Sequence, residues 1–298
     1  MSAEVNARIS EANADGVTTI EVPSTNCVVV RAHHLGGEGE PLLVCHATGF
    51  HGRCYIPLAQ RLTPHFQVWA LDMRGHGESN DPDDGDFNWQ GMRDDVLAVV
   101  DHLGFEQIKA VGHSMGGCAA LLAALDRPEL ITAAYLYEPI VLPTGMRLDP
   151  KQNTLSGSAR RRREVFASRE EALMRYATRP GLSILRADAL AAYVNWGFVD
   201  EPDGTVRLAC SGEAEARTFE ANSKLFADQV SPIQIPVTIA AGRMGGAMGP
   251  ALFAPSIVAN LPHGELVEYD QLGHFGPVQD PDFIAGEVLR VFGVVAGA

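Results

Sequence analysis

Cysteine is scarce in this 298-residue chain. Cys27, Cys45, Cys54, Cys118 and Cys210 are odd in number, and no two form a C-x-x-C pair. That pattern excludes a disulfide framework or a zinc site and suits free thiols in a reducing cytoplasm. Long apolar runs are missing too. No stretch of about 18 apolar residues is available to cross a bilayer. The opening MSAEVNARISEANADG has neither a basic n-region nor an apolar core, so a signal peptide is not expected. Basic residues are the minority, 23 against 37 acidic, for a net charge of −14. An excess of that sign argues against nucleic acid or an anionic membrane as partner. A small-molecule substrate is expected instead, with a homodimer as the one protein partner considered. No internal repeat is visible.

Apolar residues are plentiful, at 46% of the chain, which excludes intrinsic disorder. A chain of this length buries roughly three quarters of its unfolded surface and needs neither metal nor disulfide to hold a core. Short β-rich runs are expected at 18–22, 27–32, 42–46, 68–72, 108–112 and 133–137, and again at 236–241 and 266–269. Helical patterns lie between them. One is 53–62. Another is 92–103, with Met92, Val96, Val99, Val100 and Leu103 at the spacing of one helix face. A third, 115–125, is rich in small residues, and 283–292 closes the chain. Alternating strands and helices indicate an α/β fold with a covered, mostly parallel sheet. The alternation stops near Pro139. Residues 140–230 read as a mostly helical insertion without a convincing buried strand, with helices near 163–177, 187–196 and 213–226. The expected organisation is a core in two parts, 1–139 and 231–298, around a cap at 140–230. The run Arg160-Arg161-Arg162-Arg163 reads as a solvated helix face, with a substrate anion or a partner as the alternative.

The sharpest motif is Gly112-His113-Ser114-Met115-Gly116, a G-x-S-x-G between an apolar strand and a small-residue helix. A serine on such a turn is lifted clear of the sheet. Its glycine neighbours let strand and helix backbones approach closely. It also stands at a helix N-terminus, where developing negative charge is favoured. Ser114 is therefore the expected nucleophile. His274, flanked by Gly273 and Gly276 in a loop after the last strand, is the expected base. A tetrahedral oxyanion needs two fixed N–H donors. One is expected from Met115. The other is assigned to Thr48, with Ala47 or Gly49 open. Phe50, Tyr137 and Phe275 adjoin these groups and are expected as pocket walls; His113, whose side chain should point away from that of Ser114, is expected as packing or pocket wall. Phe166, Tyr176, Tyr193, Trp196, Phe198 and Phe219 of the cap are further candidates, most of them expected simply to pack the cap onto the core. Cys118, one turn after Ser114, reads as packing, and His76 as structural.

The strand, the His46 to Gly49 loop, the Asp72-Met73-Arg74-Gly75-His76-Gly77-x-Ser79 segment, the Gly-His-Ser-Met-Gly-Gly elbow and the late Gly-His-Phe together resemble the α/β-hydrolase superfamily over about residues 20–295. The resemblance implies an eight-stranded, mostly parallel sheet under a helical cap. It also implies an acid after the seventh strand, and here the sequence departs. No Asp or Glu occurs from Gln229 through Gly264. Some members take the acid from the end of the sixth strand, where this chain has Glu138. Glu138 is assigned as third catalytic residue, with Asp270 and a water-assisted dyad as alternatives. No metal or organic cofactor is expected; Gly242 to Gly249 lacks a phosphate-loop lysine and the G-x-G-x-x-G spacing. The reading is a serine hydrolase acting on a small to medium, largely apolar carboxylic ester or lactone. The alternatives are carbon–carbon bond hydrolysis on the same scaffold and a non-catalytic ligand receptor. A dehalogenase or epoxide hydrolase of this scaffold is expected to carry aspartate where Ser114 stands.

Overall fold

The computed structural model describes residues 16–146, 153–221, 223–244 and 249–294. The loose N-terminal cover expected for about the first fifteen residues lies outside the described residues. So does the 245–248 part of the glycine-rich stretch. In chain order the first strands are β1 Thr18–Pro23, β2 Val29–Gly36, β3 Glu40–Cys45, β4 Phe66–Asp72, β5 Ile108–His113 and β6 Ile131–Tyr137. Between them run α1 Ile56–Leu62, α2 Trp89–Leu103 and α3 Met115–Asp126. A segment with five short strands follows: β7 Val141–Leu142, β8 Val165–Phe166, β9 Phe198–Asp200, β10 Val206–Leu208 and β11 Leu225–Phe226. Its helices are α4 Thr154–Arg160, α5 Arg169–Ala177, α6 Ala187–Trp196 and α7 Gly212–Glu220. The chain then returns with β12 Val237–Gly242, α8 Ala254–Val258, β13 Gly264–Tyr269, α9 Gly276–Gln279 and α10 Pro281–Val291.

Eight strands form one sheet in the order β1-β2-β4-β3-β5-β6-β12-β13. β1 and β2 pair antiparallel at one edge, and every pairing from β4 to β13 is parallel. The sequence dictates this. β4 and β12 are buried on both faces, as the mostly apolar strands of a covered parallel sheet must be. α2 starts where the Asn88 side chain accepts the Gly91 N–H, and it ends at Gly104 in the left-handed conformation. Its apolar stripe, Met92 to Leu103, is buried on the sheet, and each such side chain stabilises the fold by roughly 1.5–3 kcal/mol. α3 is buried from Met115 through Ala124, which its small residues permit.

The connection after β3 runs one way to β4, and β5 lies on the other side of β3. This reversal opens a crevice at the carboxyl ends of β3 and β5, the place where ligands of open α/β sheets bind. The inserted segment is less purely helical than its sequence suggests. β8, β10 and β9 form a three-stranded antiparallel sheet, and β7 pairs with β11. Each strand is two or three residues long, too short to show alternation. Arg53 stacks on the Trp196 ring at 3.8 Å, and His51 Nε2 lies 3.2 Å from the Tyr193 carbonyl, so the insertion is docked beside the crevice. No helix among the described residues is long and apolar enough to cross a membrane.

Candidate active site

Ser114 follows β5 with φ 54° and ψ −113° and caps α3. A non-glycine residue held there costs roughly 1–3 kcal/mol, so its surroundings must impose the conformation. They do so through close packing. A Cβ on Gly116 would collide with the Cys45 carbonyl, and one on Gly112 would sit 2.6 Å from the Gly117 Cα. The Gly116 N–H donates to the His46 carbonyl at 3.1 Å, tying the elbow to the loop after β3.

Glu138 follows β6, is buried, and has a φ of 44°. Its Oε1 accepts the Gly242 N–H at 2.9 Å, and its Oε2 accepts from His274 Nδ1 at 2.6 Å. A carboxylate on Nδ1 fixes the tautomer that leaves Nε2 free to take a proton. Asp270, by contrast, is exposed and forms no hydrogen bond with His274. The Ser114 hydroxyl has no hydrogen-bond partner among the described residues. It shares one cavity of about 590 Å³ with His274.

His113 and Tyr137 were expected on the pocket wall. They do not line the cavity; they lie beneath it and carry the His274 loop. Tyr137 donates its hydroxyl to the Gly273 carbonyl at 2.8 Å. His113 Nε2 is 2.8 Å from the His274 carbonyl, which only accepts, so Nε2 carries the hydrogen. His113 Nδ1 then accepts from the Tyr55 hydroxyl at 2.7 Å, and Tyr55 accepts the Ala47 N–H at 3.2 Å. Burial pushes the His113 imidazole well below its ordinary value, in keeping with this neutral role. The same chain engages the Ala47 amide. Thr48 and Gly49, the other residues of that loop expected as oxyanion donors, also line the cavity. Side-chain direction on a strained turn is what adjacency in sequence leaves open.

His46 anchors the loop from below. Its Nε2 accepts the Met73 N–H at 2.9 Å, and burial lowers its pKa to about 3. His76 is buried with Nδ1 2.9 Å from the Arg74 carbonyl, a structural place. Cys118 is buried and its thiol is pushed up to about 12, so it carries no thiolate. Phe50 and Phe275 do line the cavity, with ring centroids 5.5 Å apart, and Tyr176, Tyr193 and Phe219 of the insertion join them. Phe166 and Phe198 instead pack together inside the insertion.

The lining is also cationic, which a largely apolar substrate does not require. Arg161, Arg162, Arg163, Arg175 and Arg179 face the cavity, with Glu215 the acidic lining residue. The arginine run is not a helix face. Arg160 ends α4 and pairs with Glu213 and Glu220; Arg162 pairs with Glu215 and the Tyr193 hydroxyl; Arg163 pairs with Glu171.

A family profile described as the alpha/beta hydrolase fold matches residues 40–281. The chain belongs to this family. Among α/β hydrolases it is similar to a soluble epoxide hydrolase of Corynebacterium sp. strain C12, at 25% identity over 88% of this chain and 93% of that one. It is also similar to 2-(acetamidomethylene)succinate hydrolase of Mesorhizobium japonicum, at 24% identity over 73% of this chain and 76% of the other. The crystal structure of an E-2-(acetamidomethylene)succinate hydrolase superposes with a TM-score of 0.76 at 20% identity, covering 93% of this α/β hydrolase and 99% of that chain.

Proposed function

We propose that this α/β hydrolase is a cofactor-free serine hydrolase that cleaves a carboxylic ester or lactone through an acyl-enzyme on Ser114. The observation that carries the reading is the 2.6 Å bond from His274 Nδ1 to the buried Glu138, beside the cavity that Ser114 lines. Two of the four described non-glycine residues with positive φ are Ser114 and Glu138, and strained backbone of this kind gathers at functional sites. In the first step His274 Nε2 takes the Ser114 proton while the oxygen attacks the carbonyl carbon. The Met115 and Thr48 amides receive the oxyanion, and His274 returns the proton to the leaving group. Water activated by His274 then releases the acid. Glu138 orients the imidazole and stabilises its cation without taking the proton. The epoxide-hydrolase relative does not extend its chemistry here, because Ser114 stands where that chemistry expects an aspartate. The succinate-hydrolase relative accords with hydrolysis.

The test is intact-mass analysis after a fluorophosphonate probe, on wild type, Ser114→Ala and His274→Ala. A single adduct on wild type that both variants lack is expected. A folded wild type that takes no adduct overturns the reading.

A further inference from the structure

We infer that the substrate carries a carboxylate besides its scissile carbonyl, and that Arg161, Arg175 and Arg179 hold it. This rests on the hydrolase reading for the position of the reacting carbonyl, and on a separate pattern for the charge. Ten arginines are described between β6 and β12. Seven pair with carboxylates: Arg160, Arg162, Arg163, Arg169, Arg186, Arg207 and Arg217. Arg161, Arg175 and Arg179 have no carboxylate partner among the described residues. All three line the cavity that holds Ser114 and His274. Glu215, the acidic lining residue, is taken by Arg162.

The protein as a whole repels anions, with its net charge of −14. Leaving three guanidiniums without an ion-pair partner on one cavity is therefore a local reversal of sign, although Glu171, paired with Arg163, lies near enough to Arg175 to feel its charge. A guanidinium offers a planar fork of donors that matches a carboxylate in two parallel hydrogen bonds. Arg175 is half-buried on α5, where water competes less than on an open surface. Phe50, Leu182, Phe219 and Phe275 supply apolar wall to the same cavity. A cavity of about 590 Å³ suits a small molecule with an uncharged carbonyl at one end and a carboxylate at the other. The half-ester of a short dicarboxylic acid has that form. An apolar ester of equal size does not use the three arginines.

The wild type tests this directly. We expect mono-4-nitrophenyl succinate to be hydrolysed with a kcat/KM at least tenfold above 4-nitrophenyl 4-methylpentanoate, its neutral isostere, with most of the difference in KM. The preference shrinks severalfold in 0.5 M NaCl. In the triple variant Arg161→Gln, Arg175→Gln, Arg179→Gln the ratio falls toward one. In Arg207→Gln, whose guanidinium pairs with Glu201, it stays. Calorimetry of succinate on folded Ser114→Ala needs no catalysis, and binding tighter than that of butyrate or inorganic phosphate is expected. Equal rates on the two esters, or a ratio that survives the triple variant, overturns the proposal. So does phosphate bound more tightly than succinate. Failure of fluorophosphonate labelling with succinate still bound would remove the hydrolase reading and leave the anion site standing.

Discussion

Arg74 of the core and Arg175 of the insertion are the same side chain under opposite rules. Arg74 is fully buried and gives Asp95 three hydrogen bonds, from its backbone N–H at 2.9 Å, Nε at 3.0 Å and NH2 at 2.7 Å. Arg175 is half-buried, faces the cavity and has no carboxylate partner among the described residues. The core cannot leave a charge unpaired, because desolvating one without a partner costs several kcal/mol. Its charges are spent on holding loops. Asp72 shows the same, accepting the Gly52 N–H at 2.6 Å and the Glu78 N–H at 2.8 Å. The insertion lies nearer water and can hold a charge in reserve for a ligand. Position relative to solvent, and not residue type, decides whether an arginine here is architecture or recognition.

That contrast can be broken in order of effect. Ser114→Ala, within the core's machinery, should lower kcat by roughly four to six orders of magnitude while leaving the melting transition in place. A residual rate above a hundredth of wild type would move the chemistry elsewhere. Acid should strike the core next. Burial lowers His46 to about 3 and His51 to about 4, so both stay neutral in the fold. The unfolded chain takes up their protons as pH falls below about 6.5. Stability is thus complete above that pH and is lost on descent toward 4, by on the order of 5 kcal/mol in all. The insertion has no histidine between Pro139 and Val237 and adds no imidazole to this slope; its paired carboxylates, Glu213 among them, are held below their ordinary values and enter only as pH reaches the carboxylate range. Urea unfolding from pH 7 to 4.5 measures it; a flat profile would show these imidazoles free to charge in the fold.

Glu138→Gln keeps the shape of the acid and removes its charge. A fall in kcat of about 10⁴, with an unchanged melting temperature, is expected by the logic of a mis-set imidazole tautomer. Near-normal turnover would take Glu138 out of the mechanism. The smallest pair of effects compares the two arginines themselves. Asp95→Asn should cost about 3–5 kcal/mol by stranding Arg74. Arg175→Leu should change stability by no more than about 0.5 kcal/mol, as a charge without a partner permits. Equal losses in urea unfolding would erase the distinction.

The sequence carries the core more plainly than the rim. The central strands of the main sheet are largely apolar runs bounded by turns, and α2 repeats its apolar residues at helical spacing, so physics acting over four to fifteen neighbours is enough. Glu138 was legible because the stretch from Gln229 to Gly264 lacks any acid, an absence that points elsewhere. β8, β9 and β10 were not legible, since two or three residues have no period. Nor was the arginine cluster: Arg161 follows α4, Arg175 lies within α5 and Arg179 follows it, and only folding brings them to one cavity. Adjacency also misplaced His113 and Tyr137, whose side chains turn under the site and not into it.

His113 meets the His274 carbonyl with one nitrogen and, through Tyr55, the Ala47 amide with the other. Three loops that no stretch of sequence connects are thereby keyed to a single imidazole. Divergence on such a scaffold is expected to be uneven. The arginines of the rim can be exchanged one at a time, each exchange altering what is bound, whereas a change at His113 or Tyr55 is expected to loosen the turns that carry Ser114, His274 and Ala47 together.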